Sequence, residues 1–392
     1  MNRDMTTISD ELVRSMQDTR YDLHRHPELG FEEHRTSRMV ATRLRRLGLE
    51  VQEGLGGTGV VGVLERGSSK RGIGLRADMD ALAILEKNAF DHRSISDGKM
   101  HACGHDGHTT MLLGAAEQLV KSGRFNGRVH FIFQPAEEHG EGALAMLDDG
   151  LFERFPMEAV YALHNLPAVP VGKAVVRTGP IMACEDNFEI VLEGQSGHAA
   201  MPHLANDLIV VGAEIVSALQ TVVSRNLNPT QHAVVSVTEF LTDGTRNVLP
   251  GTVTLRGDTR AFLPEVQDRL ETSMQRIVSG ICAAHGVSGR FRYSREFAAT
   301  INTAQETAAA AQAAREVLGA GNVDDACEPI MASEDFGYML QARPGCYLLL
   351  GNGGEGPGGC GLHSPDYDFN DAILALGAGI WVRLVERELA LA

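Results

Sequence analysis

Three histidines, a cysteine and an aspartate stand close together in the segment MHACGHDGH, Met100–His108. Thiolate and imidazole are preferred ligands of borderline-soft divalent ions such as zinc. Glycines beside Cys103 and His105 allow the backbone to fold tightly around an ion. Cys103 and His105 are therefore the first candidates for metal ligands. His101 and His108 fit better as residues that support a ligand or begin a helix.

The same segment is compatible with two alternatives. It could simply begin a helix after Gly107, with Asp106 as the N-cap, although a cap needs neither Cys nor His. Cys103 could also be the nucleophile of a cysteine hydrolase, paired with a nearby histidine. The additional His, Asp and Glu groups along the chain favour a metal site over both.

Further carboxylates and imidazoles follow apolar, strand-like runs or a glycine loop. Glu137 and Glu138 end HFIFQPAEE, His164 follows VYAL, and His363 follows GCGL. Adjacent side chains at a strand end point in different directions, so one glutamate can bind a metal while the other faces a bound water. Taken singly, His164 would be a core histidine and His363 a loop residue. In combination they indicate a site to which separate strand ends contribute.

Two aspartates, Asp78 and Asp80, follow another apolar run in GLRADMDAL. Either could bind a metal, or could orient a ligating histidine by accepting a hydrogen bond from its other ring nitrogen. The second role is favoured for Asp80. In α/β sheets, ligands bind beyond the carboxyl ends of the strands. We therefore expect all these groups at one edge of a sheet.

Alternating strand-like and helical patterns predict an α/β sheet covered by helices on both faces. The chain of 392 residues exceeds what one core usually supports, so two domains are expected. Between residues 185 and 297 the pattern changes to β-α-β-β-α-β, the ferredoxin-like split βαβ arrangement. We predict a catalytic domain of residues 1–184 and 298–392, with an α+β domain of residues 185–297 inserted into it.

Composition excludes several classes of partner. The net charge of −16 and the scattered basic residues argue against a nucleic-acid partner. No run of about 18 or more apolar residues predicts a membrane span, and the polar N-terminal segment lacks the apolar core of a signal peptide. Six irregularly spaced cysteines do not suggest a disulfide framework. These features predict a cytoplasmic protein.

The assembled motifs resemble those of the M20 metallopeptidase family. The resemblance is closest to its amidohydrolase branch of hippurate hydrolases, N-acyl-amino-acid aminoacylases and plant auxin-conjugate hydrolases. The matching motifs run in order along nearly the whole chain: LHRHPELGFEEHRTS, GLRADMDAL, GKMHACGHDGHTTMLLGAA, FIFQPAEE, ALHNLP, GHAAMPH, RNVLPGTVTLRGDTR, SEDFGYML and YDFND. The resemblance implies a zinc-peptidase-like catalytic domain with a mixed sheet flanked by helices. It also implies that the inserted ferredoxin-like domain is a lid through which the protein forms a homodimer, or a dimer of dimers.

The resemblance further implies a site for two divalent ions. Mixed sulfur, nitrogen and carboxylate ligands suit Zn, Mn, Co or Ni. Glu137 would be the catalytic base, and Asp80 would assist by orienting a ligand. Cys103 would bridge both ions, and the other ligands would be His105, Glu138, His164 and His363.

Three residues of the inserted domain are implied to act on the substrate. His198, in GHAAMPH, would reach into the partner's active site and help to stabilise the oxyanion. Asn247 and Arg260 would hold the substrate's carboxylate. Without the resemblance, Asn247 is a turn residue and Arg260 a charge on a surface strand.

The chain departs from the family's usual pattern in two places. Ala83 stands where the family usually has proline, which leaves the chemistry untouched. The sequence after PAEE is usually glycine-rich, whereas this chain has EEHGEG. His139 and Glu141 add bulk and charge close to the predicted ligands. They could alter the choice of acyl group, or His139 could point to solvent.

These features predict an amidohydrolase that splits N-acyl amino acids (N-benzoyl, N-acetyl or other aryl or alkyl acyl groups) into a carboxylic acid and an amino acid. One alternative is a metallo-dipeptidase or aminopeptidase on the same scaffold. Another is a metal-binding protein without activity. Glu137 argues against the second, because a purely structural site needs no additional carboxylate beside the metal.

Overall fold

The computed structural model describes residues 8–391. Residues 1–7 and Ala392, which the predicted domain limits include, lie outside this range. The chain forms two compact units. The first combines the chain up to Ile181 with Ile301–Glu328 and the segment from Asp335 onward, and the second comprises Met182–Thr300 and Pro329–Glu334.

The first unit contains most of the helices and strands. Its helices are α1 Asp10–Arg25, α2 His34–Arg46, α3 His105–Ser122, α4 Gly142–Asp148, α5 Leu151–Arg154, α8 Ala304–Leu318, α9 Phe336–Ala342 and α10 Leu374–Glu388. Its strands, including two at the boundaries with the second unit, are β1 Glu50–Leu55, β2 Gly59–Arg66, β3 Gly72–Asp78, β4 Gly127–Gln134, β5 Ala159–Pro167, β6 Ala174–Val175, β7 Gly179–Met182, β14 Thr300–Asn302, β15 Val323–Asp324 and β16 Gly345–Gly353.

An eight-stranded mixed sheet organises this unit, in the order β1-β2-β4-β3-β5-β16-β6-β15. The four strands β4, β3, β5 and β16 are parallel, so their carboxyl ends meet at one edge. Antiparallel pairs flank them on both sides. Every residue of β3 and β16 is buried, as expected for central strands covered on both faces.

Helices hold this sheet in place. Side chains of one face, among them Leu75, Phe131 and Leu348, share one apolar core with residues of α1, α2, α3, α8 and α10. The short helices α4 and α9 pack against other parts of β4, β5 and β16. The predicted fold class is confirmed.

The second unit is an antiparallel sheet with two helices. Its elements are β8 Cys184–Glu193, β9 Gly197–His198, α6 Leu208–Thr221, β10 Ala233–Thr242, β11 Val248–Leu249, β12 Thr252–Ala261, α7 Pro264–His285 and β13 Ser288–Phe297. The sheet order is β10-β12-β8-β13, and α6 and α7 pack against it and against each other. The short strands β9 and β11 form a separate pair.

The segment Pro329–Glu334 belongs to the second unit, although the sequence left it in the catalytic domain. Ala183 N–H donates to the carbonyl of Ile330 at 3.2 Å, and Arg260 Nη1 donates to Ser333 Oγ at 3.1 Å. These contacts come from a segment without a periodic pattern, so periodicity could not have assigned it.

One helical segment within residues 8–391, Leu208–Asn226, is long and apolar enough to cross a membrane by length and composition alone. Of the 18-residue apolar window in this segment, 33% is buried. Its buried positions include Leu208, Val211, Ile215 and Leu219. That spacing is typical of a helix with one face against a sheet.

Candidate metal centre

A tight turn leads from Cys103 into α3. The helix begins at His105, and its N-cap Gly104 has φ of 98°, a left-handed conformation that favours glycine. A Cβ at Gly104 would lie 2.3 Å from Asn165 Oδ1 and 2.7 Å from the Tyr367 hydroxyl oxygen. Both the backbone conformation and the close approach therefore require glycine between the two predicted ligands.

Asp106 is not the N-cap of this helix. It lies in the first turn, where Oδ2 is 2.9 Å from His24 Nδ1 and 3.5 Å from Arg20 Nη1. His24 Nε2 lies 3.2 Å from Glu86 Oε1. The alternative in which Asp106 caps a helix that starts after Gly107 is wrong, because the aspartate pairs with buried cations instead.

Asp80 contacts two predicted ligands through separate oxygens. Its Oδ1 lies 3.0 Å from His105 Nδ1, and its Oδ2 accepts a hydrogen bond of 3.0 Å from the Glu138 N–H. His105 Nε2 is buried and has no hydrogen-bond partner in the part of the chain that the structure describes. This nitrogen lies 3.9 Å from Glu137 Oε2 and 3.9 Å from Glu138 Oε1.

The electrostatics around His105 favour a cation. Burial lowers the pKa of His105, but the carboxylates of Asp78, Asp80 and Glu138 outweigh burial and raise it to about 10. A pocket that holds a proton this firmly is rich in negative charge. A metal ion that competes with the proton for Nε2 would be stabilised by the same carboxylates.

His164, in β5, faces Cys103. Its Nδ1 lies 2.7 Å from the carbonyl oxygen of Asn165, and its Nε2 lies 3.5 Å from Cys103 Sγ. Burial, reinforced by the nearby His108, lowers the pKa of His164 well below its ordinary value. A neutral imidazole whose Nδ1–H is bound to a carbonyl presents the lone pair of Nε2, which is the form that binds metal.

His363 reaches the site from the loop after β16. Its backbone has φ of 63°, and its N–H donates to the carbonyl of Ala102 at 2.8 Å. His363 Nε2 lies 3.4 Å from Glu138 Oε1, a buried oxygen without a hydrogen-bond partner among residues 8–391. The loop is thus tied beside Cys103, and the imidazole faces Glu138.

Four of the predicted ligands, together with Glu137, form two overlapping groups whose donor atoms lie within 4.8 Å of one another, namely Cys103 with Glu138 and His363, and His105 with Glu137 and Glu138. Donors about 2.0–2.3 Å from one tetrahedral ion are about 3.3–3.8 Å apart. The separations of 3.4 Å and 3.5 Å match that spacing. Buried polar atoms without partners, such as His105 Nε2 and Glu138 Oε1, cost free energy unless something binds them. The donor set therefore fits metal ions.

A neighbouring group, Asp78 with His105, His108 and His164, also brings potential ligand atoms together. His108 Nδ1 lies 2.7 Å from Asp78 Oδ1, and its Nε2 lies 2.7 Å from Asn165 Oδ1. Both ring nitrogens of His108 are therefore engaged. Asp78 Oδ2 also accepts a hydrogen bond from Arg76 at 2.7 Å. Asp78 and His108 therefore support the ligands and are not themselves assigned as ligands.

His101 is buried but stands apart from these groups. Neither ring nitrogen has a hydrogen-bond partner in the described part of the chain. Burial lowers the pKa of His101 to about 4. The ring is consequently neutral near pH 7 and adds no charge to the site.

Two of the residues predicted to act on the substrate lie on the short β9–β11 pair or beside it. His198 is exposed, and its Nδ1 accepts a hydrogen bond from the Ala200 N–H at 3.0 Å. Asn247 is also exposed, and its carbonyl accepts a hydrogen bond from the Ala199 N–H at 3.0 Å. The pairing of β9 with β11 therefore brings these two residues close together within the second unit.

Arg260 lies in β12 and already has anionic partners. Its Nη1 lies 2.9 Å from Glu185 Oε2, and its Nε lies 3.0 Å from Asp258 Oδ2. A substrate carboxylate bound to Arg260 would have to share the guanidinium with these two groups.

The residues at the two departures from the family pattern, Ala83 in one and His139 and Glu141 in the other, are all exposed. The ring of His139 covers Gly30, where a Cβ would lie 2.6 Å from His139 Nδ1. Glu141 is exposed and precedes α4 without a side-chain capping bond.

Sequence reasoning missed several buried polar residues that support the site. Asn165 Nδ2 donates to the Tyr367 hydroxyl at 2.7 Å. Arg76, fully buried in β3, donates to Asp78 at 2.7 Å and to Asp335 at 3.0 Å. The available signal was a charged or amide group inside an otherwise apolar strand, since such groups are rarely buried without a partner.

Comparison with known proteins identifies the family to which this chain belongs. Residues 74–387 match the family model described as peptidase family M20/M25/M40. The chain belongs to this family. The predicted resemblance to the M20 family is confirmed.

Relatives of this M20 chain carry hydrolase names. It is 38% identical over 374 residues to a hippurate hydrolase of Campylobacter jejuni, covering 95% of this chain and 96% of the relative. It is 36% identical over 352 residues to an N-acetyl-L-cysteine deacetylase of Bacillus subtilis, covering 90% and 82%. A Bacillus subtilis structure described as a dinuclear metal binding peptidase from the M20 family has a TM-score of 0.85 and 30% identity, covering 97% of this chain and 99% of that one. The predicted resemblance to the amidohydrolase branch is therefore confirmed, and this M20 protein is a metal-dependent amide hydrolase.

Proposed function

We propose that this M20 protein hydrolyses N-acyl amino acids to a carboxylic acid and a free amino acid, with two divalent ions per subunit. The observation that carries the proposal is the convergence of sulfur, imidazole and carboxylate donors from four chain segments, with Glu137 beside them. The relatives named for hippurate and N-acetyl-L-cysteine support the N-acyl amino acid as substrate class.

The proximity of these donor atoms supports the ligand set that the family resemblance implies. Cys103, His105, Glu138, His164 and His363 would hold the two ions. When bound, the ions supply Lewis acidity, which lowers the pKa of water and polarises the amide carbonyl. The mixed donor set suits zinc, manganese, cobalt or nickel.

Glu137 moves the proton. It is 6% exposed, follows β4, and has Oε2 3.9 Å from His105 Nε2. Its carboxylate takes a proton from the attacking water and delivers it to the amide nitrogen, so that the leaving amine departs neutral. Asp80 keeps His105 and Glu138 in place during this transfer.

His198, Asn247 and Arg260 receive the roles that the family resemblance implies. His198 reaches into the active site of the partner subunit and donates a hydrogen bond to the oxyanion there, which is most stabilising where negative charge develops. Asn247 and Arg260 bind the α-carboxylate of the substrate. A free carboxylate is therefore part of the substrate class that we propose.

A cytoplasmic location is proposed on the chemistry of the cysteines. All six are free thiols, including Cys103. A reducing compartment keeps such thiols available, whereas an oxidising one favours disulfides.

The test is a substrate panel with purified protein supplied separately with Zn, Mn, Co or Ni. Release of free amino acid is measured from hippurate, N-acetyl amino acids, indole-acetyl conjugates and unblocked dipeptides. We expect the N-acyl amino acids to be hydrolysed fastest, the carboxyl methyl ester of hippurate to be a poor substrate, and a chelator to abolish turnover. Faster hydrolysis of unblocked dipeptides would establish the dipeptidase alternative. No turnover with any metal would overturn the proposal.

A further inference from the structure

A buried carboxyl group outside the ligand set contacts the turn that carries Glu137. Glu33 is 0% exposed and stands at the N-cap of α2, yet its side chain does not cap that helix. Its Oε2 accepts a hydrogen bond of 2.5 Å from Thr58 Oγ1, and its Oε1 accepts one of 2.8 Å from the Ala136 N–H. Glu33 therefore links the start of α2 to the turn after β4.

The residue that Glu33 contacts has an unusual backbone conformation. Ala136 has φ of 48°, in the left-handed region that side chains other than glycine's adopt at a cost. Its N–H donates to Glu33, and its carbonyl accepts a hydrogen bond of 3.1 Å from the Gly142 N–H. Surrounding groups thus hold the backbone on both sides of Ala136, immediately before Glu137.

The turn is closely packed as well as hydrogen-bonded. A Cβ at Gly142 would lie 1.6 Å from the carbonyl oxygen of Pro135, and a Cβ at Gly30 would lie 3.0 Å from the Cα of Ala136. The turn is therefore packed directly against the backbone of Gly142 and Gly30 and cannot move closer to either. Because the acceptor for the Ala136 N–H belongs to the side chain of Glu33, a substitution there removes this hydrogen bond without changing the residues of the turn.

Two buried acids accept hydrogen bonds from this turn, one on each side of Glu137. Glu33 accepts from the N–H of Ala136, and Asp80 accepts from the N–H of Glu138. Glu137 lies between the two. We propose that Glu33 is a positioning residue for Glu137, fixing the backbone from which the base projects. This inference rests on the proposed role of Glu137.

The contacts require an accepting oxygen at Glu33 and not a full negative charge. Burial raises the pKa of Glu33 to about 7, against the lowering effect of the bonds from Thr58 and Ala136. The carboxyl is therefore partly protonated near neutral pH, and one oxygen remains an acceptor in either form. A glutamine retains that oxygen and a donor for Thr58, whereas a leucine of similar size has neither.

The experiment compares four single variants of the full-length metal-loaded protein. Glu33→Leu removes the acceptor, Glu33→Gln keeps it, and Thr58→Val removes the donor that orients Glu33. Glu32→Gln is the matched control, because Glu32 is adjacent but exposed and paired with Lys99 at 2.7 Å. Measured quantities are kcat, KM, bound metal per subunit and hydrogen–deuterium exchange of the peptide covering residues 131–140.

We expect Glu33→Leu to lower kcat by roughly 10- to 100-fold with KM nearly unchanged, since a small displacement of a catalytic group is costly. Bound metal should remain at the wild-type level, because Asp80 still holds Glu138, and exchange at residues 131–140 should accelerate. Glu33→Gln should stay within about threefold of wild type in kcat, and Thr58→Val should fall between the two. Glu32→Gln should match wild type.

Wild-type kcat and exchange in a metal-replete Glu33→Leu protein would overturn the inference, as would a Glu33→Gln protein as slow as Glu33→Leu. If Glu33→Leu does not fold, Thr58→Val must still show a lower kcat and faster exchange, and wild-type values there would also overturn it. An inactive wild-type protein would instead refute the proposed function, while the exchange comparison would still report on the turn.

Discussion

Two of the predicted ligands, His105 and His164, share one feature at the scale of single residues, which is that a second contact orients the imidazole ring. His105 is held through Nδ1 by Asp80, and His164 through Nδ1 by the carbonyl of Asn165. In both rings, Nε2 faces another predicted ligand, Glu138 in the case of His105 and Cys103 in the case of His164. Orientation by such contacts lowers the entropy cost of binding an ion and fixes the tautomer that binds it.

Glu137 provides the sharpest test at this scale. Glu137→Gln keeps the size of the side chain but cannot accept a proton, so we expect kcat to fall by about 10²- to 10⁴-fold. Bound metal, measured by elemental analysis of the purified protein, should remain near wild type.

Cys103→Ala is the contrasting control for that prediction. It should lose metal as well as activity, because the thiolate is one of the proposed ligands. If Glu137→Gln retained near wild-type turnover, Glu137 would not be the base.

At the scale of elements, the start of α3 depends on Gly104. In Gly104→Ala the left-handed φ and the contacts with Asn165 and Tyr367 both become unfavourable. We expect a loss of about 2 kcal/mol or more in the free energy of unfolding, together with weaker metal binding.

The matched control is Gly280→Ala, in the middle of α7. A Cβ at Gly280 would meet nothing within 4 Å. This variant should be slightly more stable than wild type, by about 0.5–1 kcal/mol, because alanine favours a helix. Urea unfolding measures the free energy of unfolding of both variants. Equal stability of Gly104→Ala and wild type would contradict the close approach of Asn165 and Tyr367 to Gly104.

A buried charge network joins α1 to α3 and gives the stability a pH dependence. Burial lowers the pKa of His24, but hydrogen bonds with Asp106 and Glu86 outweigh burial and raise it to about 9. Because this value lies above the ordinary 6.5, protonated His24 contributes stability that is complete below about pH 6.5 and is lost as the pH rises through 9.

His24→Gln removes this titration. We therefore expect the wild-type protein to exceed His24→Gln in free energy of unfolding by a margin that is largest near pH 6 and shrinks toward pH 9.5. Urea unfolding of the metal-free proteins at several pH values measures the margin. A margin that grew with pH would show that the neutral ring is the stabilising form.

At the scale of the whole molecule, the second unit presents the surface that we propose binds a second copy. Strand β10 is an edge of its sheet, and Phe240 and Leu241 on it are 39% and 48% exposed. Ile209 and Val210 at the start of α6 are 38% and 54% exposed. An open strand edge beside apolar side chains is a template for pairing with another chain.

Val210→Glu and Leu241→Glu should therefore weaken a homodimer, since each would bury a charge in the interface. The control is Val171→Glu in the first unit, where Val171 has a comparable exposure of 40%. Sedimentation velocity should show wild type and Val171→Glu as dimers and the other two variants shifted toward monomer. A wild-type protein that is monomeric at all concentrations would refute the dimer.

The sequence by itself was sufficient for the fold class and the family. Buried parallel strands appear as continuous apolar runs, and amphipathic helices as a period near 3.6, so both are visible in a linear chain. Cys103, His105, Glu138 and the other candidate ligands were recognisable because their residue types are chemically distinctive. The order of the parallel strands then places at one edge of the sheet the strand ends that lead to Glu138, His164 and His363.

Only the tertiary structure could decide which groups support these residues. Glu33, Arg76 and Asn165 are polar residues of ordinary type, and their partners are distant in sequence. Asp106 illustrates the same limit, because its local pattern was compatible with a cap whereas the fold pairs it with His24 and Arg20. Local patterns report periodicity and residue chemistry, but a buried polar side chain takes its role from whichever partner the packed chain brings within about 3 Å.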